Sequence, residues 1–431
     1  MAAMPQDESS LAVPLIVDQE PHRLDNKLDD LESNYRHPSS GTTSSFKTIF
    51  HGLNALSGVG ILSIPYALAT GGWLSLILLF LTAAAAFYSG LLIKKCMDVD
   101  SNITTYPDIG ERAFGNKGRI LISVFMYVEL YLVATGFLIL EGDNLQNLFP
   151  DMGFEAAGLK LDSRQTFVLI VALVILPTVL LDNLSILSYI SASGVLASAI
   201  ILASIFCAGA FDGIGFHEKG IPLNLHGLPT AVSLYAFCYC AHPVFPTLYT
   251  SIKNKNQFSN VLLICFVLCT FTYASMAVLG YLMFGSEVQS QITLNLPTNK
   301  LSSRVAIYTT LVNPISKYAL MVTPIVNAAK NWLPGGYNKR SSSVFIGTSL
   351  VISTVIVALV VPFFGSLMSL VGAFLSLSAS IVLPCLCYLK ISGAYRRLGF
   401  DAVAIGSVVV LGVAVMVFGT YKSLVDIIGN F

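Results

Sequence analysis

The chain has 431 residues, 55% hydrophobic and only 11% charged, with a mean hydropathy of +0.73, whereas a soluble globular chain carries about 25% charged residues. Twenty-four Lys+Arg balance 24 Asp+Glu, so neither a basic surface for nucleic acid nor an acidic one for a cationic partner is implied. The apolar excess needs lipid as its solvent.

From Met1 to Thr43 the text is polar and acidic and has no sustained period. Such a stretch buries too little apolar surface to offset chain entropy, so residues 1–43 read as a disordered cytosolic tail. No charged start followed by a short apolar run and a small-residue cleavage site is present, which argues against a cleaved signal peptide. Residues 44–431 form the membrane domain. Apolar runs long enough to cross about 30 Å of hydrocarbon are expected at residues 46–69, 72–95, 119–140, 165–181, 185–209, 228–250, 259–284, 304–330, 343–361, 366–389 and 401–425. The expected fold is an all-α polytopic membrane protein of about eleven spans. Cys238, Cys240, Cys265, Cys269, Cys385 and Cys387 fall inside these runs, where a thiol behaves as a small hydrophobe. Neither C-x-C pair lies near a second ligand pair, so no metal or cofactor is expected.

Lysine and arginine orient the chain, because cytoplasmic loops carry the excess of them. With the tail in the cytosol, that side holds most basic residues, among them Lys94, Lys95, Arg112, Lys117, Arg119, Lys253, Lys255, Lys339 and Arg340. The opposite side holds Lys160, Arg164, Lys219, Lys300, Arg304 and Lys422.

Helix breakers carry the functional organisation. The first span reads N-A-L-S-G-V-G-I-L-S-I-P from Asn54 to Pro65, and the sixth reads F-C-Y-C-A-H-P-V-F-P from Phe237 to Pro246. Each opens a block of five spans, as an inverted repeat would: a first block at residues 46–209, a second at 228–389, and an added eleventh helix at 401–425. Unwound backbone at the bilayer midplane offers free N–H and C=O groups, and half-helix N-termini face an anionic group with positive dipole ends. A zwitterion suits such a site. The plainer reading is that these glycines and prolines only kink membrane helices, in which both residues are common.

Glu129 is the one acid read as lying deep in a span, and Lys317 the one base. A charge at the membrane centre costs roughly 2.5 to 3.5 kcal/mol on insertion scales, so such residues pair, face a cavity or carry protons. Glu129 and Lys317 are therefore candidates for proton coupling; a static ion pair joining the third and eighth spans, or a Glu129 kept neutral as a hydrogen-bond donor, is the alternative. His242 beside Pro243 could contact substrate or sense pH, or simply cap freed carbonyls. Tyr127, Tyr131, Tyr235 and Tyr239 lie in the third and sixth spans, where most aromatics are packing.

The stretch N-A-L-S-G-V-G-I-L-S-I-P-Y-A from Asn54 to Ala67 resembles the first-span signature of the amino acid/auxin permease family. Tyr106 to Gly115, Y-P-D-I-G-E-R-A-F-G, resembles that family's loop between the second and third spans. Tyr235 to Phe258 is similar to the sixth span of its plant vacuolar amino acid transporter subgroup. The resemblance runs from about Phe46 to the C-terminus. It implies a fold similar to the bacterial leucine transporter, moving neutral amino acids by coupling to protons, commonly at the vacuolar membrane, which is favoured here over the plasma membrane. It also implies that Asn54 and the turn Ser57, Gly58, Val59, Gly60 and Ile61 surround the substrate's α-amino and α-carboxyl groups. Tyr239, Cys240 and His242 at the second break complete the candidate substrate set. The sodium-coupled branch places a hydroxyl-bearing residue on the eighth span at an ion site, where this chain has Lys317 in N-P-I-S-K-Y; an ammonium in a cation's place favours protons over sodium.

An intramembrane enzyme needs a nucleophile with a base, paired acids or metal ligands, and one Glu, one Lys and one His spread over three spans give none of these. A channel would show repeated polar filter sequences. An amino-acid sensor on a transporter fold stays open, with the tail as its signalling element. Nothing in the sequence speaks to oligomeric state, and a monomer would serve.

The two N-x-S/T sequons, Asn102 to Thr104 and Asn183 to Ser185, fall in loops that this orientation places in the cytosol. In a glycosylating host the protein should therefore migrate identically with and without glycosidase, and a glycan on either asparagine would reverse the orientation.

Overall fold

A computed structural model describes residues 41, 43–156, 159–180, 194–330, 339–396 and 399–430. Most of the tail expectation, and the sequon at Asn183, lie outside the described residues. Helices dominate because in lipid each peptide group must find its partner within the chain. Eight of them among the described residues are long and apolar enough to cross a membrane.

In chain order the elements are α1 (Ser45–Leu56) and α2 (Ile64–Gly71), two halves of one interrupted span, then α3 (Ser75–Val99), α4 (Tyr106–Phe114) and α5 (Asn116–Leu148). A hairpin follows, β1 (Phe154–Ala156) antiparallel to β2 (Leu159–Leu161), with Phe154 opposite Leu161. Next come α6 (Ser163–Leu180) and α7 (Gly194–Phe211), then α8 (Leu228–Cys238) and α9 (Phe245–Ser251), which are the second interrupted pair. The chain closes with α10 (Phe258–Phe284), α11 (Leu301–Lys330), α12 (Lys339–Val360), α13 (Phe364–Leu370), α14 (Leu383–Ser392) and α15 (Phe400–Gly429). Helix lies in every one of the eleven expected ranges; for the fifth, residues 185–193 are outside the described part.

Three features depart from the expectation. The third helix does not stop near residue 140 but runs 33 residues to Leu148. Its polar end reads as loop by hydropathy, yet it is packed: a Cβ at Gly142 would lie 2.6 Å from Val168 Cγ2, so the glycine lets α6 come close. The connection between the second and third spans is itself a helix, α4. Thr105 and Asp108 form a reciprocal capping box at its start, satisfying two donors that a helix leaves unmet. Although partial burial works the other way, hydrogen bonds from Thr105 and Thr104 hold the Asp108 carboxyl below its ordinary range. Finally, the tenth span is not regular: between α13 and α14 it winds as π-helix over Val371–Ser376 and Ser378–Val382, a form that concentrates at functional sites.

The N-terminal end of the membrane domain is tied down. Thr43 pairs with Ile252 beyond α9, its N–H donating to Ser251 O at 3.0 Å and its carbonyl accepting from Lys253 N at 2.9 Å. At the other end of the bundle Arg164 on α6 bonds Asp143 at 2.6 Å and Pro362 O at 2.8 Å.

Close approach of the tenth span to the sixth depends on Gly372, where a Cβ would sit 1.9 Å from Ser233 O. Gly372→Val should sharply reduce the yield of monodisperse protein in detergent, since overpacking costs about 1–3 kcal/mol or more. Gly429→Val, which meets nothing within 4 Å, should leave the yield unchanged.

Candidate functional site

Two breaks meet inside the bundle. The first begins at Ser57: α1 ends, Gly58 is extended (φ −102°, ψ −169°), a single tight turn covers Val59–Leu62, and α2 resumes with Pro65 in its first turn. The second follows Cys238, with Tyr239, Cys240 and Ala241 leading into a tight turn at His242–Val244 and Pro246 opening α9. Glycine and proline explain both, because one weakens a helix and the other removes a donor. The breaks are in contact: a Cβ on Gly60 would lie 2.6 Å from Cys238 Sγ and 3.3 Å from Cys238 Cα.

One side chain joins them. The Tyr273 hydroxyl on α10 donates to Leu56 O at 2.5 Å and lies 3.3 Å from Cys238 O, so a single phenol meets freed carbonyls of both breaks. Sequence reasoning passed over Tyr273; a tyrosine in the middle of an otherwise apolar seventh span was the available signal. Ser57 Oγ sits 2.5 Å from Ser198 Oγ on α7, which also lay outside the candidate set.

Lys317 on α11 is buried, and its ammonium donates to Ser57 O at 3.1 Å and to Asn54 O at 3.4 Å. Gly194 admits this arrangement, since its Cβ would lie 2.6 Å from Asn54 Oδ1 and 3.2 Å from Lys317 Nζ. Thus the first break carries a cation seated on two carbonyls three residues apart. Glu129 goes elsewhere. Its carboxylate accepts from Ser376 Oγ at 2.5 Å, in the π-helical stretch, and from Cys240 at the second break. No ion pair links Glu129 to Lys317 among the described residues; each stands at its own break.

His242 is fully buried, with Nε2 2.9 Å from both Ala86 O and Ser89 Oγ. A carbonyl can only accept, so Nε2 carries the hydrogen and Nδ1, which has no partner, presents a lone pair. The imidazole thus ties the second break to Ala86 O and Ser89 within the uninterrupted helix α3, rather than capping a carbonyl that a break has freed. Tyr239 stacks on Phe266 and donates to Thr270 at 2.9 Å. Tyr235 bonds Ser75 at 3.1 Å and Tyr131 bonds Ser353 at 3.2 Å, so these rings are engaged in packing. Val59, Gly60 and Ile61 are buried around the turn.

Open space lies beside Gly58, where a Cβ would meet no heavy atom within 4 Å. Gly58 needs no glycine for its backbone angles, so what its lack of a side chain keeps clear is that space and the bare peptide. Toward the Arg164 end, a cleft of about 720 Å³ is lined by Tyr66, Asp143, Asn147, Gln289, Ser290 and Phe364 among others.

Two interrupted helices in contact within one helical bundle are the arrangement of the leucine-transporter-like fold, and the solved structures agree on that fold. The chain superposes on Mhp1 in its inward-facing conformation (TM-score 0.53, 12% identity, 91% of this chain and 92% of that one). It superposes equally on MhsT crystallised with L-phenylalanine (0.52, 13%, 90% and 99%) and on a Na+-coupled sialic acid symporter (0.52, 12%, 90% and 91%). At such identities the likeness establishes fold alone. Residues 41–425 match the family described as transmembrane amino acid transporter protein. Relatives from Arabidopsis thaliana include amino acid transporter AVT1J, 60% identical over 99% of this chain and 100% of its own, and amino acid transporter AVT1I, 63% identical over 90% and 96%. The chain belongs to the transmembrane amino acid transporter family, whose members are carriers and not enzymes.

Gly58 and Gly60 differ in what an added methyl would meet, open space at the first and Cys238 at the second. Gly58→Ala should keep wild-type thermal stability while weakening apparent substrate affinity in uptake by about tenfold, or roughly 1.4 kcal/mol. Gly60→Ala drives a methyl into Cys238 and should lower stability by about 1–3 kcal/mol, read as an earlier melting transition in detergent.

Proposed function

We propose that this protein is a proton-coupled secondary carrier of neutral amino acids that alternates access around its two interrupted spans. Eleven crossings, an inverted repeat at residues 46–209 and 228–389, a cytosolic amino terminus and a vacuolar membrane complete the reading. The observation that carries it is the contact of the two breaks, with Tyr273 bonded between them and open space at Gly58.

The chemistry suits a zwitterion. The leading N–H groups of the Val59–Leu62 turn lack acceptors within it and lie at a half-helix N-terminus, which favours the substrate carboxylate. Asn54 and Ser57 have their carbonyls occupied by Lys317, so the substrate's ammonium finds carbonyls at the second break, around Tyr239 and Cys240. The AVT relatives carry names that point to amino acid transport, and MhsT holds L-phenylalanine, both consistent with this substrate class.

Lys317 supplies the cation that holds α11 to the first break. Loss of its proton weakens both hydrogen bonds, each worth about 1.5–3 kcal/mol while the amine is charged, and frees α1 to move. Glu129, bonded to Cys240, is placed to do the same for the second break. Thr43, paired beyond α9, links the tail to the same bundle end and keeps a sensing role in view.

Reconstituted protein under an imposed pH gradient tests the proposal. Uptake of a neutral amino acid should follow the pH gradient and be indifferent to sodium. Lys317→Met should cut gradient-driven uptake about tenfold or more, a barrier change of roughly 1.4 kcal/mol. Binding without counterflow of labelled substrate would favour the sensor, and sodium-dependent uptake would remove Lys317 from the coupling role.

A further inference from the structure

We propose that Glu141 is the proton way-station of the non-cytosolic half, passing protons between the cleft at that end and Lys317. The proposal rests on the proton-coupled reading given above. Hydropathy places Glu141 at the end of the third span; the structure places it within the continuous helix α5, wholly buried, with neither carboxyl oxygen bonded to any described residue. An ionised carboxylate so enclosed would be penalised by many kcal/mol, and the group holds its proton instead. It is therefore an acid without a structural partner, unlike Glu129 between Ser376 and Cys240 and unlike Asp143 on Arg164.

Its surroundings continue the pattern. Asn144, one turn along the same face, donates to Gln291 Oε1 at 2.6 Å but leaves its own Oδ1 unmet, and Gln291 donates to Asp143 Oδ2 at 2.8 Å. Asp143 lines the cleft. On the inner side, α11 packs against α5 and carries two further buried hydroxyls, Ser303 and Thr310, with no partner among the described residues. The Asn144–Gln291 bond puts the segment leading into α11 against the end of α5, so the two helices run antiparallel. At 1.5 Å per residue, Glu141 lies about 18 Å beyond Glu129, Thr310 about 10 Å and Ser303 about 21 Å beyond Lys317. Thr310 and Ser303 thus follow Lys317 at seven-residue intervals along one face of α11, toward the end of the bundle where Glu141 and the cleft lie.

Among the described residues no charged group is bonded to Glu141. On its own helix, Asp143 is bonded to Arg164 and Gln291, and Glu129 lies deeper. Among the elements packed against α5, Arg164 is held by Asp143 and Pro362 O, Arg304 donates to Thr298 O, and Lys317 sits on the first break. The ionisable residues of α4 and Arg340 of α12 lie at the opposite end of the bundle. Glu141 can hence gain and lose a proton without breaking an ion pair.

Proteoliposomes bearing wild type and Glu141→Gln test this by two measurements on each: uptake driven by a pH gradient, and counterflow of labelled amino acid at equal pH. Glu141→Gln keeps the shape and loses the proton, so gradient-driven uptake should fall about tenfold or more, while counterflow stays within about twofold of wild type. Gradient-driven uptake equal to wild type overturns the proposal, and so does parallel loss of counterflow, which marks a structural role. Should the variant fail to fold, a hydrophobic carbodiimide applied to the wild-type protein reads the same point. Such a reagent couples to protonated carboxyls in apolar surroundings, so mass spectrometry should find its adduct on the Glu141 peptide and find less of it as pH rises; an unlabelled Glu141 overturns the proposal. A wild type indifferent to the pH gradient sinks the proton-coupled reading itself, whereas a coupled wild type with an equally coupled Glu141→Gln sinks this inference alone.

Discussion

Lipid offers nothing to a bare carbonyl, and this constraint governs the molecule. Interrupting a span frees several peptide groups, each costing a few kcal/mol if left unmet in hydrocarbon, so every break must be answered from inside the chain. The first is answered by Tyr273 on Leu56 O and by Lys317 on Asn54 O and Ser57 O. These donors come from α10 and α11, helices packed against the break, and not from the interrupted span. Because each such bond is worth only about 1–3 kcal/mol net, the most for those from the ammonium, the fastening orders the break yet is weak enough to exchange partners as the bundle moves.

That division explains what the sequence discloses. The breaks themselves are local chemistry: Gly58, Gly60 and Pro65 in one span, Pro243 and Pro246 in the other, so their positions can be read from one line of text. What covers them is not local. Tyr273 is one of many aromatics in apolar runs, and only the fold brings it between Leu56 and Cys238. Ser198 meets Ser57 from a helix more than a hundred residues away. The serines of the tenth span, Ser376, Ser378 and Ser380, repeat every second residue, so no helical face holds all three: Ser376 meets Glu129, whereas Ser378 meets Phe374 O and Met416 on α15.

Glu141 shows the limit of hydropathy in another way. The segment from Glu141 to Asn147 is polar enough to read as the start of a loop. It is helix because Gly142 lets α6 approach, and because Gln291 reaches back from a distant loop to Asn144. Tertiary packing thus overrode a local signal that was correctly read, and the cost of burying those polar groups is what makes them informative about function.

Glu129 and Lys317 look like natural partners when only their depth is known. Their separation changes the logic of coupling. A pair that neutralised itself would be indifferent to which break opened, whereas Lys317 at the first and Glu129 at the second place one ionisable group at each interrupted span. The asymmetry also bears on the substrate. With the Asn54 and Ser57 carbonyls taken by Lys317, a second ammonium at the first break would face like charge, which a medium of low dielectric punishes heavily. In the proposed carrier a zwitterion therefore lies one way across the two breaks, carboxylate toward the first and ammonium toward the second. On that reading the position of one lysine sets the orientation of the amino acid before any contact with the substrate's own side chain.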